Sequence, residues 1–151
     1  MKTRTSIVGL LFIFFLCATT VYAQEGGSFS SYLVGTYDMR GGRTLLHIIN
    51  PTAKGFEVYV AFFDADEKPL ICKKDKLSNN DLLEIDVKTL KLDAKFGVVK
   101  IVSLRDKKPV PGMVGFQRHL FEKGGVTESN LASVPAKILD EELKIIMEVC
   151  K

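Results

Sequence analysis

Histidine occurs only twice in the 151 residues, at positions 47 and 119, and cysteine only three times. None of the short Cys and His spacings that build structural zinc sites can be assembled from so few residues. Gly-x-Ser-x-Gly elbows, phosphate-binding loops and dinucleotide fingerprints are also absent. The acidic run Asp64-Ala-Asp-Glu67 has Lys68 where a third alternate carboxylate would stand, and it lacks the later glutamate of an EF-hand. It reads as a solvated hairpin turn. Asn50-Pro51-Thr52 resembles a glycosylation acceptor but carries the excluded proline. A Cys-His nucleophile pair would be consumed by disulfide formation. These absences leave no catalytic residue, no metal site and no cofactor to propose, so the chain reads as non-enzymatic.

Long apolar runs are confined to the N-terminus. Lys2 and Arg4 precede Ile7 to Ala18, and Val21-Tyr22-Ala23 follows with residues that suit a signal peptidase. The run is shorter than the roughly 20 residues that span a bilayer, which predicts cleavage after Ala23 rather than anchoring. Phe15-Leu16 before Cys17 does not fit lipidation. Taking 23 residues from 151 leaves 128, the length of one ordinary domain. Loss of Lys2 and Arg4 leaves 19 of 21 bases against 18 acids, so the mature charge gives no reason to expect nucleic acid as a partner. No later apolar run could span a membrane, and the product is expected to be soluble and exported, periplasmic or extracellular. Cys72 and Cys150 then remain as a pair, and an oxidising compartment predicts a disulfide between them.

Short apolar runs alternate with turn signals along the mature chain. The expected strands are Tyr32–Tyr37, Thr44–Ile49, Phe56–Phe63, Leu70–Lys73, Leu82–Val87, Gly97–Ser103 and Met113–Arg118. The segments between them are rich in Gly, Pro, Asn and Asp, which favour turns through special backbone angles or local hydrogen bonds. Val58, Val60 and Phe62 share one face of a strand, and Val98, Lys100 and Val102 alternate with Val99, Ile101 and Ser103. Several strands are apolar on both faces, as expected when one face meets a second sheet and the other is partly covered. No helix-length segment separates them, which excludes parallel βαβ units. The pattern predicts a mainly β fold, an antiparallel β-sandwich of about seven strands with a C-terminal amphipathic helix.

The tail has a different composition. Residues 122–133 are polar and glycine-containing and read as a linker. Ser133 is placed to cap a helix over 134–150, with Pro135 in its first turn. Leu139, Leu143, Ile146 and Cys150 form one helical stripe, expected to dock on the sandwich. The organisation is then signal peptide 1–23, flexible leader 24–30, sandwich 31–121, linker 122–133 and helix 134–150.

Two short basic clusters, Lys73 to Lys76 and Lys107-Lys108, lie beside turns with an aspartate and read as solvated loop charge. Tyr37-Asp38-Met39-Arg40 and Gln117-Arg118-His119 place several hydrogen-bonding groups at strand ends, where sandwich loops often bind ligands. Arg40, Arg43, Arg118 and His119 are the candidate ligand contacts. An internal ion pair between Asp38 and a nearby arginine is the competing reading of the same residues.

From Thr44 to Ser103 the order of features is Ile49-Asn50-Pro51, Val58 to Asp64, a charged turn, Pro69-Leu70, Leu77 to Asp86 and Phe96 to Ser103. That order resembles uncharacterised exported bacterial β-sandwich modules. It is more distantly similar to the soluble sensory rhodopsin transducer family, small β-sandwiches that oligomerise. The export signal and helical tail set this chain apart from the transducers, so the resemblance implies the fold alone. The expected function is an exported binding module for a protein or cell-surface component, acting through loops or an exposed strand edge. Small-ligand or carbohydrate sensing is the alternative, and homo-oligomerisation is left open.

Overall fold

The computed structural model describes residues 29–134 and 136–151. The expected signal peptide, residues 24–28 of the leader, Pro135 and the side chain of Leu139 lie outside the described residues. Among the described residues ten strands, one short 3-10 helix (Val87–Leu90, between β5 and β6) and one α-helix follow in order: β1 (Tyr32–Asp38), β2 (Gly42–Asn50), β3 (Phe56–Asp64), β4 (Pro69–Leu77), β5 (Asp81–Asp86), β6 (Phe96–Arg105), β7 (Lys108–Pro109), β8 (Val114–Phe121), β9 (Val126–Asn130), β10 (Ala132–Ser133) and α1 (Ala136–Val149). All seven strands expected from alternation and turn signals form.

The strands make two antiparallel sheets packed as a β-sandwich. The larger has the order β10-β1-β6-β3-β4, with β7 folded back onto β6; the smaller has the order β5-β2-β8-β9. The additional strands are short or polar. β7 and β10 have two residues each, and β9 lies where a linker was expected. Every residue of β9 is exposed, so it has no apolar alternation to reveal it; backbone pairing with β8 alone makes it a strand. The chain then crosses between sheets at Leu131, whose side chain enters the core, and β10 pairs with β1.

Two apolar layers follow from the alternation. Between the sheets lie Leu33, Tyr37, Leu46, Ile48, Val58, Val60, Phe62, Leu83, Ile85, Val99 and Ile101. Tyr37 and Phe62 meet there edge-to-face with ring centres 5.9 Å apart. On the opposite side of the larger sheet, Tyr32, Ala61, Phe63, Val102 and Leu104 pack under Leu143, Ile146 and Cys150 of the tail. This explains why β3 is apolar on both faces: one face meets the second sheet, the other meets α1. Cys72 on β4 is bonded to Cys150, with Cα atoms 5.0 Å apart, and the bridge ties the end of the helix to the sheet.

Candidate functional site

The edges of the two sheets face each other across a cleft of about 270 Å³, lined by Thr36, Asp38, Gly42, Arg43, His119 and Thr127 among others. β10 pairs with only Leu33 and Val34, so β1 has a free edge from Gly35 onward. Side chains of the smaller sheet complete that edge. Gln117 Oε1 on β8 accepts from the Thr36 amide at 3.0 Å, and Thr44 Oγ1 on β2 accepts from the Asp38 amide at 2.9 Å. Gly42 brings β2 close to β8, because a Cβ there would collide with the carbonyl of Leu120.

His119 lies inside this network. Its Nδ1 is 2.9 Å from Thr44 Oγ1 and its Nε2 is 3.3 Å from Gln117 Nε2. Thr44 donates its hydroxyl proton to the Asp38 carbonyl at 3.1 Å. The assignment that satisfies every member has His119 donating from Nδ1 to Thr44 and accepting at Nε2 from Gln117. Both ring nitrogens are then engaged, so the imidazole stiffens the join between the sheets rather than offering a base or ligand to the cleft.

The other three candidates are dispersed. Arg40 doubles back on Asp38, with Nη2 at 2.7 Å, and lays its guanidinium 4.1 Å from the centre of the Phe96 ring. The bond from Arg40 holds the Asp38 carboxyl below the usual carboxylate range, and the Arg40 amide adds to the effect. Arg43 pairs with Asp86 at 3.1 Å and Arg118 with Glu128 at 2.8 Å. The expected ion pair of Asp38 with an arginine is therefore present. Only Arg43 and His119 of the four candidates line the cleft. Asp64 spends one carboxylate oxygen on the backbone amides of Asp66 and Lys68, which shapes the acidic turn. Among the described residues no three metal-ligating side chains gather in one place.

A second surface lies on the outer face of the smaller sheet. The pairing registers set four cross-strand rows there: Leu82-Ile49-Val114, Glu84-His47-Phe116-Asn130, Asp86-Leu45-Arg118-Glu128 and Arg43-Leu120-Val126. Leu82 is 53% exposed and Val126 57% exposed, while Leu45, Ile49, Val114, Phe116 and Leu120 are half-buried. His47 occupies the centre and is 5% exposed. Its ring stacks on Phe116 at 4.4 Å between centres, and its Nε2 lies 2.8 Å from Glu84. On this face Arg43 and Arg118 are paired with Asp86 and Glu128, and Glu84 is hydrogen-bonded to His47, so it presents aliphatic and aromatic carbon with few charged groups left without a partner. α1 packs on β3, β4 and β6 of the other sheet, and among the described residues no element packs across this face. Sequence reasoning weighed His47 only for a zinc site and set it aside. Its place between Leu46 and Ile48 on a two-faced strand was the available signal.

No known protein family and no curated protein matches the chain. Its fold is similar to that of the crystal structure of Thermotoga maritima 1070, with a TM-score of 0.56 and 14% identity over 70% of this chain and 95% of that one. At that identity the likeness extends to the fold alone.

Proposed function

We propose that the chain is an exported, non-enzymatic binding module that docks a protein or cell-surface component on the outer face of its smaller sheet. One observation carries this reading: the larger sheet's outer face is packed under α1, whereas the smaller sheet keeps Leu82, Val126 and five half-buried apolar neighbours in the open. Monomeric proteins seldom leave large contiguous apolar surfaces without a use for them. The paired charges within the face suit it to a partner of similar character, because they need not be stripped of water unpaired. The Cys72–Cys150 bridge is consistent with an oxidising compartment. Among the described residues no helix is long and apolar enough to cross a membrane.

The cleft supports small-ligand sensing less well, since at about 270 Å³ it falls just below the usual range of ligand pockets and its histidine is already engaged. Leu82→Glu and Val126→Glu place charge on the two most exposed apolar positions without touching the core. Both variants should keep the wild-type melting temperature and lose capture of the partner from envelope or medium fractions. Equal capture by wild type and both variants would refute docking on this face.

A further inference from the structure

The smaller sheet ends in β9, and its pairing with β8 shows which backbone groups are spent. The Leu131 amide donates to the Gly115 carbonyl at 2.9 Å, and the Phe121 amide donates to the Gly125 carbonyl at 3.1 Å. In antiparallel pairing, alternate residues turn their backbone groups toward the partner strand. Thr127 and Ser129 therefore face β8, and the amides and carbonyls of Val126, Glu128 and Asn130 face outward. All five residues of β9 are exposed.

The four sheet edges are not equivalent: β10 has only two residues, and the β1 edge beyond it is completed by the side chains of Gln117 and Thr44. β4 carries Lys73, Lys74 and Lys76, and β5 carries Asp81, Glu84 and Asp86, charges that discourage pairing with another strand. β9 has no proline, no lysine and one charge, Glu128, which is held by Arg118. An open and nearly uncharged edge is a template for strand addition. The side chains beside it state what would fit. On the outer face, Val126 continues the apolar row of Leu120, and Glu128 remains 53% exposed beside Arg118. On the other face, Thr127 opens into the cleft, beside His119 and Arg43.

We propose that β9 captures an extended peptide segment of a protein partner, which adds as a further strand beyond the smaller sheet. The peptide has an apolar residue facing Val126 and, two positions along, a basic residue facing Glu128, with small polar residues turned toward the cleft. A second copy of this chain fits less well. Pairing two β9 strands antiparallel about Glu128 would set the two Glu128 carboxylates directly opposite on one face, a repulsive arrangement. This inference rests on the reading of the chain as a protein-binding module and names the form of the partner.

The test selects binders from a displayed library of random linear peptides against the purified protein. Selected sequences should alternate apolar and basic residues on one face, and binding should slow exchange of the Val126, Glu128 and Asn130 amides about tenfold or more. Thr127 and Ser129, whose amides already bond to β8, should change little. Glu128→Pro deletes one outward amide without removing a bond to β8 and should weaken the peptide about tenfold. Glu128→Ala keeps that amide and should weaken it less. Unchanged affinity of folded Glu128→Pro, protection elsewhere, failure to select any peptide, or self-association that Glu128→Pro abolishes would each overturn the proposal. The exchange measurement uses the unaltered protein and decides the matter should Glu128→Pro not fold. Loss of partner capture in Leu82→Glu with no protection along β9 would leave the docking face standing and remove the strand addition.

Discussion

Lys100 Nζ lies 2.8 Å from the Glu142 carboxylate, joining β6 to α1 across an otherwise apolar interface. Lys100 is 7% exposed, and the same Glu142 oxygen accepts the Tyr32 hydroxyl at 3.1 Å. The ammonium also lies 5.0 Å from the centre of the Phe63 ring. A buried ion pair adds little over well-packed apolar residues, but removing one partner strands the other charge. Glu142→Ala should therefore cost about 2–3 kcal/mol, below the roughly 3–5 kcal/mol of a fully buried pair because Glu142 is partly solvated. The double variant Lys100→Met with Glu142→Leu should recover most of that loss. Chemical denaturation of the three variants checks this, and a double variant no more stable than Glu142→Ala would count against it.

The bridge between Cys72 and Cys150 closes a loop of 78 residues. Chain entropy puts its stabilisation at about 4–5 kcal/mol, an upper value because residual structure in the unfolded chain reduces it. Reduction should release α1 before the sandwich unfolds, since most of the core lies between the sheets. Exchange of the α1 amides should quicken in reductant while β3 and β6 stay protected. Thiol titration of the unreduced, denatured protein that finds two free thiols would remove the bridge from the account.

Phe62 is fully buried between the sheets and packs edge-to-face on Tyr37. Phe62→Ala should cost about 3–5 kcal/mol, by lost burial and an unfilled cavity. Phe121, exposed at the end of β8, should tolerate alanine with a change below about 0.5 kcal/mol. Urea midpoints of the two variants give the comparison, and similar losses would mean that the core has been placed wrongly.

Two buried tyrosines should make the fold less stable at alkaline pH. Burial raises the Tyr32 phenol well above its usual value and Glu142 raises it further, while burial pushes Tyr37 up to about 12 with Asp64 adding to it. In the unfolded chain both ionise near pH 10. Between that pH and the folded values the unfolded state holds fewer protons, so stability is full below about pH 10 and falls as pH rises. Tyr32→Phe gives up its bond to Glu142, about 1 kcal/mol at neutral pH, and should lose stability less steeply above pH 10. Urea midpoints from pH 8 to 11.5 supply the slopes, and parallel slopes would contradict the assignment.

The sandwich was legible because apolar alternation survives wherever a strand has a face to bury. Val58, Val60 and Phe62 showed one buried face, and Tyr59, Ala61 and Phe63 a second one that needed a cover. The stripe of Leu143, Ile146 and Cys150 supplied that cover, and its cysteine gave the partner of Cys72. β9 was not legible, because a strand whose residues are all exposed has the composition of a linker. The candidate site was legible in part. His119 and Arg43 do reach one cleft, but Thr44, which bonds His119, comes from a strand whose register a sequence does not state. Lys100 carried a signal, a single lysine in an apolar strand, which points to a buried partner without naming Glu142.

Docking on the open face of the smaller sheet is tested most directly by cross-linking in the native host. A photoreactive residue would replace Leu120, beside Val126 on that face, or Asp140, exposed on α1. The account predicts a discrete adduct with another protein from position 120 and none from position 140. An adduct from position 140 with none from position 120 would place the interface on the helix side and contradict it.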